Sequence, residues 1–162
     1  MSQKMDKARI YLDACALNRL FDAKDQARVR AESNAVEEIL ALFFEGQLDW
    51  FASEALEAEI LKNPDTESRL EALKLISLSS EQAVATDATF LRAEGLERLG
   101  YGSYDALHLA CAEQVQADCL LTTDDRFIRR AGRGLGNSPV KVQNPVDWME
   151  EYTNDPPGIR IS

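Results

Sequence analysis

The feature that most constrains this 162-residue sequence is an alternation of short apolar runs with amphipathic segments. Residues 8–12 read ARIYL, a composition typical of a buried strand, and end abruptly at Asp13, where we expect a loop to begin. Over residues 27–46, apolar side chains recur at helical spacing, and Gly46 is placed to end the helix. Strands alternating with helices favour a parallel sheet with helices on both faces. Such sheets bind ligands beyond the carboxyl ends of their strands.

The same patterns predict the remaining elements. Further strands are expected at 49–52, 119–122 and 140–142, and helices at about 67–75, 127–131 and 145–152. A helix that carries Leu56, Glu59 and Ile60 is expected after the second strand and ends at residues 63–65, which read NPD. Ser79 followed by Gln82 has the spacing of a capping box, which predicts a longer helix to about Leu99. Ser103 is expected to cap the next helix, which runs to about Val115.

Length and composition predict one domain, residues 1–153, followed by a flexible tail at 154–162. The cysteines, Cys15, Cys111 and Cys119, form no CxxC pair, so neither a disulfide framework nor a thiolate zinc site is indicated. No signal-peptide core or membrane-length apolar run is evident. We therefore expect a cytoplasmic protein without a membrane partner.

The net charge of −10, with 28 acidic and 18 basic residues, argues at first against a polyanionic partner. Acidic residues on predicted helices, such as Glu32 and Glu37, are expected to be solvated, and exposed charges are screened beyond about 8 Å. The densest basic cluster consists of Arg126, Arg129, Arg130 and Arg133. This cluster could hold a phosphate, although it is equally typical of a solvated helix face.

Candidate ligands are carboxylates at structurally related positions. Asp13 and Asp124 follow predicted strands, Asp105 stands at a helix start, and Glu59 lies in a helix that follows a strand. Two carboxylates about 4 Å apart repel by about 4 kcal/mol at an effective dielectric near 20. Hard divalent ions such as Mg²⁺ or Mn²⁺ relieve that repulsion. Taken singly, each acid also has an ordinary explanation as a turn, helix-start or solvated residue.

Four runs in order resemble the successive motifs of PIN-domain nucleases, a family that includes VapC-type toxins. These runs are IYLDAC, followed by NRLFD; SEALEAEI; YDALHLACA; and LLTTDDRF. Each run alone is weakly specific, but their order and structural context are fairly specific. The similarity extends from about residue 10 to residue 142.

The resemblance implies a three-layer α/β/α sandwich with a central, mainly parallel sheet. It also implies hydrolysis of RNA phosphodiester bonds with one or two Mg²⁺ or Mn²⁺ ions. By the same resemblance, the catalytic and metal-binding acids are Asp13, Glu59, Asp105 and Asp124, with Asp125 as an auxiliary metal ligand. We expect Arg126, Arg129 and Arg130 to bind the substrate.

The hydrogen-bonding residues around the acids depart from the family pattern at one position. Cys15 stands where many members have a small hydroxyl or amide residue, and a thiol is a weaker partner. Thr122, Thr123 or Ser103 could supply the missing hydrogen bonds. His108, the single histidine, is predicted to be a helix-packing residue without a catalytic role.

The leading hypothesis is a metal-dependent endoribonuclease, with the toxin of a toxin–antitoxin pair as one role. RNA, an antitoxin and a second copy of the chain are the expected partners. The alternative is a catalytically silent PIN-like module that binds RNA or protein. Two phosphotransfer folds are disfavoured. A dehalogenase-like site needs a second aspartate two residues after Asp13, where this sequence has Cys15. A receiver domain needs an acidic doublet early in the chain and a lysine late, whereas the doublet Asp124-Asp125 comes late here.

Overall fold

The computed structural model describes residues 7–155. The strands are β1 (Ala8–Leu12), β2 (Leu48–Ser53), β3 (Glu81–Ala83), β4 (Cys119–Leu121) and β5 (Lys141–Gln143). The helices are α1 (Ala14–Asn18), α2 (Ala27–Phe44), α3 (Glu54–Leu61), α4 (Thr66–Ile76), α5 (Asp87–Arg98), α6 (Ser103–Gln114), α7 (Asp125–Gly132) and α8 (Pro145–Asn154), with a 3-10 turn at Leu135–Asn137.

The five strands form one sheet in the order β3-β2-β1-β4-β5, and every neighbouring pair is parallel. β1 is the central strand, where Ile10 pairs with Trp50 of β2 and Cys119 of β4. Because the chain order reverses at β1, a crevice is expected at the carboxyl ends of β1 and β4. The predicted parallel sheet is confirmed.

Alternate residues of β1 contribute to two separate hydrophobic cores. Ile10 and Leu12 pack with residues from α1, α2, α3, α4 and α8, while Tyr11 packs with residues from α5, α6 and α7. This follows from the two-residue period of a strand, which directs successive side chains to opposite faces. Both faces of the sheet are therefore covered, which is the predicted three-layer α/β/α sandwich.

Residues 79–99 do not form the single helix that we predicted. The Ser80 amide donates to the Trp50 carbonyl at 2.8 Å, and Ser80 Oγ accepts from the Trp50 amide at 3.2 Å. These bonds align β3 beside β2, and α5 begins only after Thr86, whose side chain forms a capping box with Thr89. Pairing with a neighbouring strand thus overrides the local capping pattern.

Two other local predictions were also wrong. The N-cap of α6 is Gly102, and Ser103 is the first helical residue without a capping role. A helix, α1, follows β1 directly where a loop was expected, because Asp13 Oδ1 accepts from the Ala16 amide at 3.0 Å. The connection between α7 and β5 includes a 3-10 turn, and the Gly136 carbonyl in that turn accepts from Arg92.

At its C-terminal end the described chain is a regular helix. α8 continues through Asn154, the first residue of the predicted tail, and residues 156–162 of that tail lie outside the described residues. Within residues 7–155, no helix combines the length and apolar character needed to cross a bilayer.

Candidate active site

Three strands end in side chains that cap the helices after them. Asp13 follows β1 and caps α1, Ser53 ends β2 and caps α3, and Asp124 follows β4 and caps α7. Short polar side chains accept hydrogen bonds from the free amides of a first helical turn, so these sequences start helices at the carboxyl edge of the sheet. The same edge receives Asp105, in the first turn of α6.

Asp13 is the most deeply buried candidate acid, with 2% of its surface exposed. Burial raises the pKa of its carboxyl group from the ordinary value of 3.8 to about 6. Nearby His108 and hydrogen bonds from Thr122 and the Ala16 amide lower the pKa, whereas Glu59 raises it. At neutral pH the carboxylate is charged, and its buried surroundings disfavour that charge.

Asp105 has a similar environment, although its side chain is only half-buried. The pKa of this carboxyl group is raised to about 6, chiefly by burial and then by the charges of Asp124, Asp13 and Glu59, while His108 lowers it. Asp105 has no hydrogen bond or ion pair with any side chain within residues 7–155. The pKa of Asp105 is thus raised by other carboxylates, and no lysine or arginine among the described residues forms an ion pair with it.

Asp124 is linked to Asp13 through one hydroxyl group. The Asp124 amide donates to Thr122 Oγ1 at 3.1 Å, and the Thr122 hydroxyl also hydrogen-bonds the Asp13 side chain. Oδ1 of Asp124 accepts from the amides of Arg126 and Phe127, which leaves its second oxygen without a bond to the described chain. Thr122, one of the predicted hydrogen-bonding residues, therefore bridges two of the acids.

Glu59 on α3 ends a row of buried polar side chains. Its Oε1 lies 2.7 Å from His108 Nε2, His108 Nδ1 lies 2.7 Å from the Tyr11 hydroxyl, and that hydroxyl lies 2.5 Å from Ser53 Oγ. Burial raises the pKa of Tyr11 well above its ordinary value, so the hydroxyl stays protonated. His108 is buried in the helix packing, as expected, but it also contacts a candidate acid.

Cys15 lies within electrostatic range of all four candidate acids. Burial raises the pKa of its thiol, and the charges of Asp13, Glu59, Asp124 and Asp105 raise it further. A raised pKa disfavours the thiolate, which is the form of cysteine that binds metals well. The common influence on Cys15 and Asp105 indicates that the four acids gather at one edge of the sheet, and we call these four residues the acidic site.

The residue types of the acidic site suit a hard cation, but the described side chains are not arranged as a set of metal ligands. Carboxylate oxygens are the ligands that Mg²⁺ and Mn²⁺ prefer, and a cation would offset the unfavourable burial of Asp13. However, among residues 7–155 no three His, Cys, Asp or Glu side chains are arranged to hold a metal ion. Oδ1 of Asp13 caps α1, Oδ1 of Asp124 caps α7 and Oε1 of Glu59 contacts His108, so three of the four acids each have an oxygen already bonded.

Asp125 forms an ion pair instead of joining the other acids. Both of its oxygens contact Arg28, at 2.8 and 2.9 Å, and this pairing lowers the pKa of its carboxyl group. Arg28 also donates to the Thr123 carbonyl at 3.1 Å. The Thr123 side chain is buried, whereas Ser103 is exposed and has no hydrogen bond to another described side chain.

Glu32 contradicts the prediction of a solvated helix face, because only 1% of its surface is exposed. Its oxygens accept from Arg19 at 2.9 Å, Arg28 at 3.2 Å and the Asn144 side chain at 2.6 Å. These bonds tie α2 to α1 and to the start of α8. A buried carboxylate needs such partners, because an unpaired charge in the interior is costly.

The predicted basic cluster lies on and just after α7. Arg126, Arg129 and Arg133 are exposed, and Arg130 is half-buried. None of the four forms a side-chain hydrogen bond or ion pair with another described residue. Because α7 begins beside Asp124, these side chains are free to contact an anion near that end of the acidic site.

Four residues with contacts at or near the acidic site were not predicted from the sequence, namely Tyr11, Ser53, Glu32 and Arg28. Ser53 was detectable, since a serine between a strand and a helix is a typical cap. Tyr11 and Glu32 resemble ordinary strand and helix residues, and their importance follows from contacts with partners distant in the sequence.

A parallel sheet between two helical layers, with acidic side chains at its carboxyl edge, defines an α/β/α protein with a candidate ligand site. The PIN domain family model matches residues 10–133, about three quarters of the sequence, and the chain belongs to this family. Its fold is therefore of the nuclease type, and PIN nucleases generally use divalent metals. No curated protein matches the chain significantly.

Proposed function

We propose that the protein is a divalent-metal-dependent endoribonuclease that hydrolyses RNA phosphodiester bonds. The main support is the environment of Asp13 and Asp105, whose pKa values are both raised to about 6. Neither carboxylate has an ion pair with a lysine or arginine among residues 7–155. Clustered, partly buried acids that no lysine or arginine neutralises are characteristic of sites that bind a cation.

The acidic site would hold Mg²⁺ or Mn²⁺ through Asp13, Glu59, Asp105 and Asp124. The ion supplies Lewis acidity for phosphodiester hydrolysis and neutralises the carboxylates. Asp125 is not among the proposed ligands, because Arg28 already neutralises it. Its role would instead be to position the segment that begins α7.

Asp105 is the best-placed residue to accept a proton from the attacking water. Its carboxylate is half-buried and has no competing hydrogen bond within the described chain, whereas Asp124 caps α7 and Asp13 caps α1. A carboxyl group with a pKa nearer to neutrality is also a better base than an ordinary one.

Substrate would approach from the side of α7. Arg126, Arg129 and Arg130 would hold phosphate groups adjacent to Asp124, since arginine matches phosphate geometry and these side chains are not engaged within residues 7–155. A second region beside the acidic site is a cleft of about 440 Å³, which is lined by Glu59 and by polar residues that include Asn18 and Lys62. An RNA strand could therefore extend past both sides of the acidic site.

Cleavage of labelled single-stranded RNA with Mn²⁺ tests the proposal. Asp13→Asn and Asp105→Asn should each reduce cleavage at least about 100-fold, because either change removes a ligand or a base. Asp87→Asn is the matched control, since Asp87 is also an acid in a first helical turn but is exposed and outside the acidic site. Wild-type cleavage rates in folded Asp13→Asn or Asp105→Asn protein would disprove the proposal.

The second candidate is a catalytically silent module that binds RNA or protein. It is favoured by one observation, namely that no three ligand side chains are arranged to hold a metal within residues 7–155. Calorimetric titration with Mn²⁺ distinguishes the two candidates. Absence of binding at millimolar Mn²⁺, together with binding of RNA, would support the silent module.

We also propose that the protein is the toxin of a toxin–antitoxin pair and that it forms a dimer. Induced expression of the wild type should arrest growth, whereas Asp13→Asn should not, and co-expression of a cognate antitoxin should restore growth. Light scattering would determine whether the purified chain is a dimer. Growth at the uninduced rate during accumulation of active wild-type protein would argue against the toxin role alone.

A further inference from the structure

A row of hydrogen bonds joins the interior of the protein to Glu59. It runs from Ser53 Oγ to the Tyr11 hydroxyl, then through both nitrogens of His108, and ends at Glu59 Oε1, with distances of 2.5, 2.7 and 2.7 Å. Ser53 and Tyr11 are completely buried and His108 is 1% exposed, whereas 29% of the Glu59 side chain is exposed. The row is therefore anchored in the core and ends at a solvent-accessible carboxylate.

For a neutral imidazole, the donors and acceptors along this row have one consistent direction. A carboxylate can only accept, so Nε2 of His108 donates to Glu59 and Nδ1 must be an acceptor. The Tyr11 hydroxyl then donates to Nδ1, and its oxygen accepts from the Ser53 hydroxyl. Ser53 Oγ in turn accepts from the Leu56 amide at 3.0 Å, so every member is satisfied.

The row also joins four different elements of the fold. Tyr11 lies on β1, Ser53 ends β2, His108 lies on α6, and Glu59 lies on α3. The ring of Tyr104 stacks on the His108 ring, with centroids 6.2 Å apart. The imidazole is thus held by packing as well as by hydrogen bonds, and it cannot rotate without breaking both.

We infer that His108 and Tyr11 are positioning residues that fix the Glu59 carboxylate for binding a divalent cation. Oε1 of Glu59 is engaged by His108, and within residues 7–155 no hydrogen bond engages Oε2, which is left available for a ligand. The inference rests on the proposed function, because it assumes that Glu59 contacts the cation. Partners of metal-binding carboxylates typically contribute 10- to 100-fold to metal affinity or activity.

The direction of the row can be measured directly, because the chain has one histidine. Tag-free protein with ¹⁵N-labelled imidazole would give a single histidine spectrum in a metal-free buffer at pH 8. We expect the tautomer with the proton on Nε2, and we expect Mg²⁺ titration to shift the Nε2 resonance. A proton on Nδ1, or an Nε2 resonance unaffected by saturating Mg²⁺, would overturn the inference even if the enzyme proves inactive.

Kinetics would separate positioning from a merely structural role. Tyr11→Phe should lower kcat for RNA cleavage by about 10-fold or more and raise the Mn²⁺ concentration needed for half-maximal rate, with little change in the KM for RNA. Tyr104→Phe is the matched control, because it also removes one hydroxyl from a ring that contacts His108. An inactive wild type would count against the proposed function, whereas an active wild type equalled by folded Tyr11→Phe would count against this inference.

A second pair of variants does not depend on the folding of Tyr11→Phe. His108→Gln retains a side-chain amide that can donate to Glu59, whereas His108→Leu has no donor. We expect His108→Gln to require less Mn²⁺ and to have a higher kcat than His108→Leu, by about 10-fold. Equal Mn²⁺ dependence in the two variants would refute the positioning role.

Discussion

Arg28 and Asp125 form a bidentate ion pair between residues 97 positions apart in the sequence, with nitrogen–oxygen distances of 2.8 and 2.9 Å. The pair connects α2 to the first turn of α7, directly beside Asp124. The same guanidinium group reaches the buried Glu32. Arg28 therefore links a structural carboxylate in the core to the segment that presents a candidate ligand.

Arg28→Met should reduce the free energy of unfolding by about 1 kcal/mol at low salt, and by less at high salt. The estimate is small because about half of each partner's side chain is exposed, which screens the charges. Urea denaturation measures the effect. Arg30→Met is the control, since Arg30 is exposed on the same helix and, among residues 7–155, its side chain bonds only to the Lys24 carbonyl. Equal losses in both variants at low salt would contradict the assigned role of Arg28.

Glu32→Gln should be more damaging, with a loss of about 2 kcal/mol. The substitution removes the charge that both arginines share in a site that excludes solvent, while the Asn144 bond can persist. Chemical denaturation of Glu37→Gln provides the comparison. Glu37 is exposed on the same helix, so its substitution should change the stability by less than about 0.5 kcal/mol. A Glu32→Gln loss no larger than this would show that the buried network contributes little.

Asp13→Asn should increase stability at high pH in the absence of metal. Because folding raises the Asp13 pKa from 3.8 to about 6, the folded wild type binds more protons than the unfolded chain between these pH values. Because of this group, the free energy of unfolding of the wild type therefore falls by about 3 kcal/mol as pH rises through that window. Asparagine can retain the α1 cap without the charge.

The difference in unfolding free energy between Asp13→Asn and wild type, measured in EDTA, should be near zero at pH 4 and largest near pH 8. Saturating Mn²⁺ at pH 8 should stabilise the wild type and leave Asp13→Asn nearly unchanged. A difference that does not vary between pH 4 and pH 8 would refute the assignment of a raised pKa to Asp13.

Gly136→Ala should destabilise the protein by about 1 to 3 kcal/mol. An added Cβ would lie 2.6 Å from a methyl group of the buried Leu96, and the φ of Gly136 is +82°, a conformation that disfavours other residues. Thermal and urea unfolding measure the loss. By contrast, Gly95→Ala in α5 meets no atom within 4 Å and should stabilise by about 0.5 to 1 kcal/mol. Similar effects of the two substitutions on stability would contradict the close packing of Gly136 against Leu96.

Much of the fold could be predicted from local patterns. The bounds of β1, the start of α2 and the position of Gly46 after it follow from apolar periodicity and from glycine's ability to adopt a positive φ. The candidate acids were also identifiable, because three of them stand at the ends of strands or the starts of helices. Family membership followed from motifs that include these positions, and the family match confirms it.

The local patterns failed where a distant partner decides the structure. β3 exists because Ser80 bonds to Trp50, and without that partner residues 79–83 have the capping pattern of a helix start. Glu32 was expected in solvent because its helical neighbours include other acids. Its burial depends on Arg19 and Asn144, which lie 13 and 112 positions away.

The sequence by itself determined the alternation of strands and helices and the identity of the acids, because periodicity and capping act over a few residues. Only the tertiary structure decided which polar groups meet. Asp125 pairs with Arg28 and His108 lies between Tyr11 and Glu59 because the strand order brings β1, β2 and β4 together. Hydrogen bonds and ion pairs require contact at about 3 Å, and chain folding alone creates that contact between distant residues.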